Sequence, residues 1–149
     1  MKTALCFTGT GRSLSHTYSN VRQNLIDPLV AENFLLAENP DAHAAEKYFS
    51  DIDQIKKLLI EEEEEPLNIS SIKFRPGWPP PRTSPQIYIK MINARSRCNE
   101  LVAQYERENN VKYERMIFSR LDVKYFNKVS SYINNLDYNC VYVPDFHNT

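Results

Sequence analysis

The segment Thr3-Ala4-Leu5-Cys6-Phe7 constrains the fold most. It is a short apolar run with no polar break, and it closes on the glycine-bearing turn Thr8-Gly9-Thr10-Gly11-Arg12. A strand with one wet face alternates apolar and polar residues, whereas a continuous run suits a strand buried on both faces, as in a parallel sheet. The chain has only 3 glycines and places two of them in this turn, which marks a demanding backbone geometry there. A polar helix is expected from about Ser13 to Asp27, with Pro28 as its stop.

The same alternation continues. Phe34-Leu35-Leu36-Ala37 is a second buried run, ending at Glu38-Asn39-Pro40-Asp41. A helix is expected near Asp41 with Ala42, Ala45, Tyr48 and Phe49 on one side, and Ile52, Ile55, Leu58 and Leu59 extend the helical spacing. The five acids Glu61 to Glu65 read as a solvated helix end or loop. Leu67 to Phe74 suggests a third strand, and the proline-rich segment Arg75 to Thr83 forbids regular structure.

The clearest helix follows. Ser84 suits the N-cap and Pro85 the first helical position. Ile87, Met91, Ala94, Cys98, Leu101, Val102 and Tyr105 form an apolar stripe that ends near Asn109-Asn110. Met116-Ile117-Phe118-Ser119 then reads as a strand, followed by a helix near Val129–Asn134 and a strand over Cys140–Val143. Strands alternating with helices imply an α/β fold, a Rossmann-like three-layer sandwich with a mostly parallel sheet. At 149 residues the chain is expected to form one domain, residues 1–149.

Composition removes several functional classes. The net charge is −1, which offers no footprint for nucleic acid. No stretch nears the ~20 apolar residues of a membrane span. The amino end lacks the apolar core of a signal peptide, so a cytoplasmic location is expected. Cys6, Cys98 and Cys140 stand apart with no Cys-x-x-Cys pair, so neither a disulfide framework nor a zinc site is suggested; buried, reduced thiols are expected.

In open α/β sheets ligands bind beyond the carboxyl ends of the strands. The turn Thr8-Gly9-Thr10-Gly11-Arg12 lies there. Its glycines let backbone N–H groups approach a phosphate, a helix start favours negative charge, and Arg12 can add a bidentate contact. It matches neither common phosphate-loop pattern, and a plain strand-to-helix turn is the alternative. Arg120-Leu121-Asp122-Val123-Lys124 lies at the end of another strand. Asp122 can hold a divalent cation, Arg120 and Lys124 can neutralise phosphates without one, or Arg120 and Asp122 can simply pair.

Taken together, Ala4 to Ser13, Tyr18 to Val21, Asn24 to Leu29, Cys98 to Val102, Tyr113 to Asp122 and Val141 to Asp145 resemble a group of glycosyltransferase-like proteins from microbes, algae and large viruses. The resemblance covers nearly the whole chain through short motifs. It implies the GT-A fold and transfer of sugar from a nucleotide-diphospho-sugar donor to a glycan, lipid or protein acceptor. It implies donor binding by Thr8, Gly9, Gly11, Arg12, Arg120, Asp122 and Lys124. Arg120 and Asp122 stand where such enzymes carry Asp-x-Asp, with Asp122 as the ligand of Mn²⁺ or Mg²⁺. The second acid of that motif is replaced by Lys124, which places metal dependence in question. GT-A enzymes normally continue into an acceptor-binding half, so the chain resembles a truncated or amino-terminal member, and no catalytic base is nominated. A non-catalytic α/β module that binds a nucleotide or a protein is the alternative.

Overall fold

The computed structural model describes residues 2–11, 13–38, 42–50, 55–61, 73, 84–133, 135–137 and 139–141. These contain four strands: β1 (Thr3–Thr10), β2 (Glu32–Glu38), β3 (Ile55–Glu61) and β4 (Arg115–Arg120). All pair in parallel, in the order β3-β2-β1-β4. The helices are α1 (Leu14–Val21), α2 (Asp27–Leu29), α3 (Ala42–Phe49), α4 (Pro85–Asn109) and α5 (Ser130–Ile133). A π-helical turn, Arg22–Ile26, joins α1 to α2. The expected α/β class is what the chain adopts.

The central position of β1 explains its unbroken apolar sequence. Ala4, Leu5, Cys6 and Phe7 are each fully buried because both faces are covered. Leu5 and Phe7, with Leu35 and Ala37 of β2, pack against Leu14, Val21, Leu25, Ala45 and Phe49 from the α1–α3 side. Phe7 meets Phe49 edge-on, with ring centroids 5.2 Å apart. Ala4, Cys6, Phe34 and Leu36 face the opposite way, onto Ala94, Cys98 and Val102 of α4. Three layers result: α1 and α3, the sheet, then α4. The Cys6 and Cys98 thiols share a hydrogen bond in the second core, and that bond together with burial holds the Cys6 thiol far above its usual range.

The long helix forms as its sequence directs. Ser84 Oγ accepts from the Gln86 N–H at 3.3 Å, Pro85 opens the first turn, and left-handed Asn110 (φ 50°) closes the last. Glu106 then ties the helix end to the approach of β4. Its carboxylate accepts from the Tyr113 N–H at 2.8 Å and from Lys112 Nζ at 3.3 Å. The Tyr113 hydroxyl donates to Glu32 at the start of β2.

Several expectations change. β1 runs on through Thr8, Gly9 and Thr10, so the turn begins at Gly11. Pairing to β2 persists through Thr10, while pairing to β4 ends at Thr8. Pro28 does not stop the first helix. It sits in the first turn of α2, where no N–H is required, and the chain turns at Val30 (φ 48°) instead. The Asn24 carbonyl, which proline cannot serve, takes the Val129 N–H at 2.8 Å. Residues 55–61 are strand rather than helix: Leu35 pairs with Leu58 and Leu36 with Leu59, past a register irregularity opposite Asn33 and Phe34. A short apolar run satisfies either period, and the open side of β2 decides the outcome.

Ile87 is exposed, so the buried part of the α4 stripe begins at Ala94. Cys140 is exposed, unlike the other two cysteines. The expected strands at Leu67–Phe74 and Cys140–Val143 and the proline-rich segment lie outside the described residues, apart from Lys73, Cys140 and Val141, which are exposed and irregular. No helix among the described residues is long and apolar enough to cross a membrane.

Candidate functional site

Strand order locates the crevice. From β1 the chain steps through α1 to β2 and through α3 to β3 on one side, while β4 pairs on the other side of β1. The order therefore reverses between β1 and β4, and the space beyond their carboxyl ends is where such sheets hold ligands. Thr8 pairs with Arg120 across this boundary. The two segments singled out in the sequence thus end side by side.

On the β1 side, Thr8 is buried and Gly9 adopts φ 117°. A Cβ built on Gly9 would meet nothing within 4 Å, so conformation rather than space demands glycine. Gly11 is buried, and its carbonyl accepts the Leu14 N–H at 3.0 Å, closing the turn into α1. Ser13 takes the N-cap position without a side-chain cap bond, and the first turn of α1 carries no acid. The positive end of that helix is left without an anionic partner from its own turn. Arg12 lies outside the described residues.

On the β4 side, Arg120 Nε donates to Asp122 Oδ1 at 2.8 Å and Nη2 to Oδ2 at 2.6 Å. Of the three sequence readings for this segment, the ion pair is the one formed. The hydrogen bond to Asp122 raises the Arg120 pKa further above its already high value, against a smaller opposing effect of desolvation. Lys124 is exposed on the same loop.

That loop is fastened to α1 and to the π-helical turn after it by groups the sequence reading did not single out as a site. Thr17 Oγ1 donates to the Leu121 carbonyl at 2.9 Å and also approaches the Ser13 carbonyl at 3.0 Å. Asn20 Oδ1 accepts the Tyr125 N–H at 2.6 Å, while its Nδ2 donates to the Tyr125 carbonyl at 3.0 Å. Asn24 Nδ2 donates to the same carbonyl at 3.1 Å. The Tyr125 hydroxyl meets Ser119 Oγ at 2.7 Å, and burial raises its pKa despite that bond. Leu121 is driven into the core between these anchors. The available signal was Thr17, Asn20 and Asn24 at helical spacing on one edge of a helix.

Comparison with protein-family models, curated proteins and solved structures gives no match.

The implied divalent cation does not fit this donor set. Such ions take about six oxygens, several from carboxylates. Both Asp122 oxygens are engaged by one guanidinium, and Lys124 occupies the place of the second acid. Among the described residues no three His, Cys, Asp or Glu side chains gather.

Proposed function

We propose that the chain binds a nucleotide-diphospho-sugar through its diphosphate, beyond the carboxyl ends of β1 and β4, and transfers the sugar to a glycan, lipid or protein acceptor. The observation that carries the binding part is the Thr8–Arg120 pairing. It brings the Gly9–Gly11 backbone, the amino end of α1 and the Arg120 guanidinium to one end of the sheet, at its point of reversal. Backbone N–H groups, a helix start and a guanidinium are the groups that recognise phosphate oxygens. The transfer chemistry rests on the sequence resemblance. In that reading Thr8, Gly9, Gly11 and Arg12 hold one flank of the diphosphate, and Arg120 and Lys124 neutralise the other.

Thermal unfolding with a panel of nucleotide sugars tests this. A donor at about 100 times its Kd adds roughly 2.7 kcal/mol, which for a domain of this size raises Tm by several degrees. A cooperative melt that no donor moves would remove the assignment.

The Arg120–Asp122 pair also favours a second reading, a non-catalytic module that binds nucleotide without turnover. The pairing leaves the one acid of the motif without a free oxygen. Slow release of free sugar from a bound donor, without acceptor, separates an enzyme from such a module.

A further inference from the structure

We infer that the diphosphate is held without a metal ion, with Arg120 as the direct phosphate contact and Asp122 as the residue that positions it. This rests on the proposed diphosphate site and assigns how that site works.

A guanidinium carries five N–H donors in a rigid fork. Asp122 takes one from Nε and one from Nη2, so the side edge of the fork is filled. The end edge, formed by one Nη1 hydrogen and the remaining Nη2 hydrogen, meets no acceptor among the described residues. That edge has the spacing that meets two phosphate oxygens at once. The Arg120 side chain is 54% exposed and Asp122 30%, so the acid is the more buried of the pair and the arginine is open to solvent. Paired at two points, the guanidinium loses the rotation that a free surface arginine would have to surrender on binding.

The base of this device is fixed as well. The loop that carries Asp122 is held to α1 by Thr17 and Asn20 and to the π-helical turn that follows it by Asn24. A cation entering here would meet a carboxylate whose two oxygens both already accept from a guanidinium, and would find an ammonium, Lys124, two residues on. The same residues that fail as a cation site are therefore suited to an anion.

The two modes of binding predict different effects for one substitution. Asp122→Asn removes a negative charge beside the phosphate but keeps a carbonyl oxygen for the guanidinium. Metal-free binding survives this change, weakened by the loss of one of the two holding points, whereas binding through a cation held by Asp122 is lost. Arg120→Gln removes the phosphate contact itself.

The experiment is titration calorimetry of inorganic pyrophosphate into the full chain. Wild type, Asp122→Asn and Arg120→Gln are each measured in EDTA and again with Mn²⁺, with circular dichroism confirming that each variant is folded. Binding in EDTA that persists in Asp122→Asn and weakens at least tenfold in Arg120→Gln is the expected result. Binding that requires Mn²⁺ and disappears in Asp122→Asn overturns the inference while leaving the diphosphate site in place. Binding in EDTA unaffected by Arg120→Gln also overturns it, since the anion then sits elsewhere. Absence of binding in both media removes the diphosphate site and the inference with it.

Discussion

Asn20→Ala should destabilise the protein by about 2 kcal/mol, and the effect of adding Asn24→Ala should exceed simple addition. Asn20 makes two bonds to the backbone of Tyr125, one to its N–H at 2.6 Å and one to its carbonyl at 3.0 Å. The N–H has no second acceptor in this contact, so truncation leaves a partly buried donor unpaired, which costs about 1–3 kcal/mol. The carbonyl is different, because Asn24 Nδ2 still reaches it at 3.1 Å. Asn24→Ala alone therefore removes one bond and orphans nothing, for a loss of about 0.5–1 kcal/mol. In the double variant the carbonyl loses both donors, and a coupling of about 1 kcal/mol beyond the sum is expected. Urea denaturation of the four species measures this as shifts in midpoint at unchanged slope. Equal losses for the two single variants, or strict additivity in the double, would refute the account of Tyr125 as a residue held at two points by one asparagine and at one by the other.

Phe7→Ala should cost about 3–5 kcal/mol, because the ring is fully buried between β1 and Phe49; a loss under 1.5 kcal/mol would mean that the core collapses around the gap. Gly9→Ala should cost about 1–3 kcal/mol through its φ of 117° alone, since a methyl group there touches nothing; Gly11→Ala separates this conformational cost from general sensitivity of the turn. Glu106 titrates below the usual carboxylate range, chiefly through the Tyr113 N–H bond and then through Lys112. A depressed folded pKa gives a stabilisation that is complete above the unfolded value of about 4.3 and fades as pH falls through the folded one. Denaturation midpoints of Glu106→Gln should therefore fall below wild type at pH 7 and converge with it in acid.

How much of this was readable in the sequence follows from which residues act locally. Ser84, Pro85 and Asn110 fix the ends of α4 through bonds within a few residues, so its bounds could be read directly. The unbroken run at Ala4–Phe7 announces a strand covered on both faces, and that is where β1 sits. Ile55–Glu61 could not be read that way. Ile55, Leu58 and Leu59 carry a helical spacing, yet pairing with Leu35 and Leu36 draws the segment into the sheet. The Arg120–Asp122 pair was one of three readings because two residues of separation permit it but do not require it. The Asn20–Tyr125 contact spans 105 positions, and local spacing says nothing about so distant a partner.

The polar edge of α1 therefore belongs to the candidate site as much as the glycine turn does. A parallel strand ends with no intrinsic preference for where the chain goes next, and the loop after β4 leaves the sheet at Arg120. Burial of Leu121 pulls it toward the first core, and Thr17, Asn20 and Asn24 dictate how far it can move. Since α1 starts at the Gly11 turn, the same helix presents its amino end to one flank of the crevice and, through its side, sets the position of the other. The distance between the turn and the Arg120 fork is thereby carried by a rigid element rather than by a loop. It follows that Asn20→Ala should weaken pyrophosphate binding even though Asn20 belongs to neither flank. Restoration of the Oδ1 acceptor alone, in Asn20→Asp, should recover part of that loss through the Tyr125 N–H.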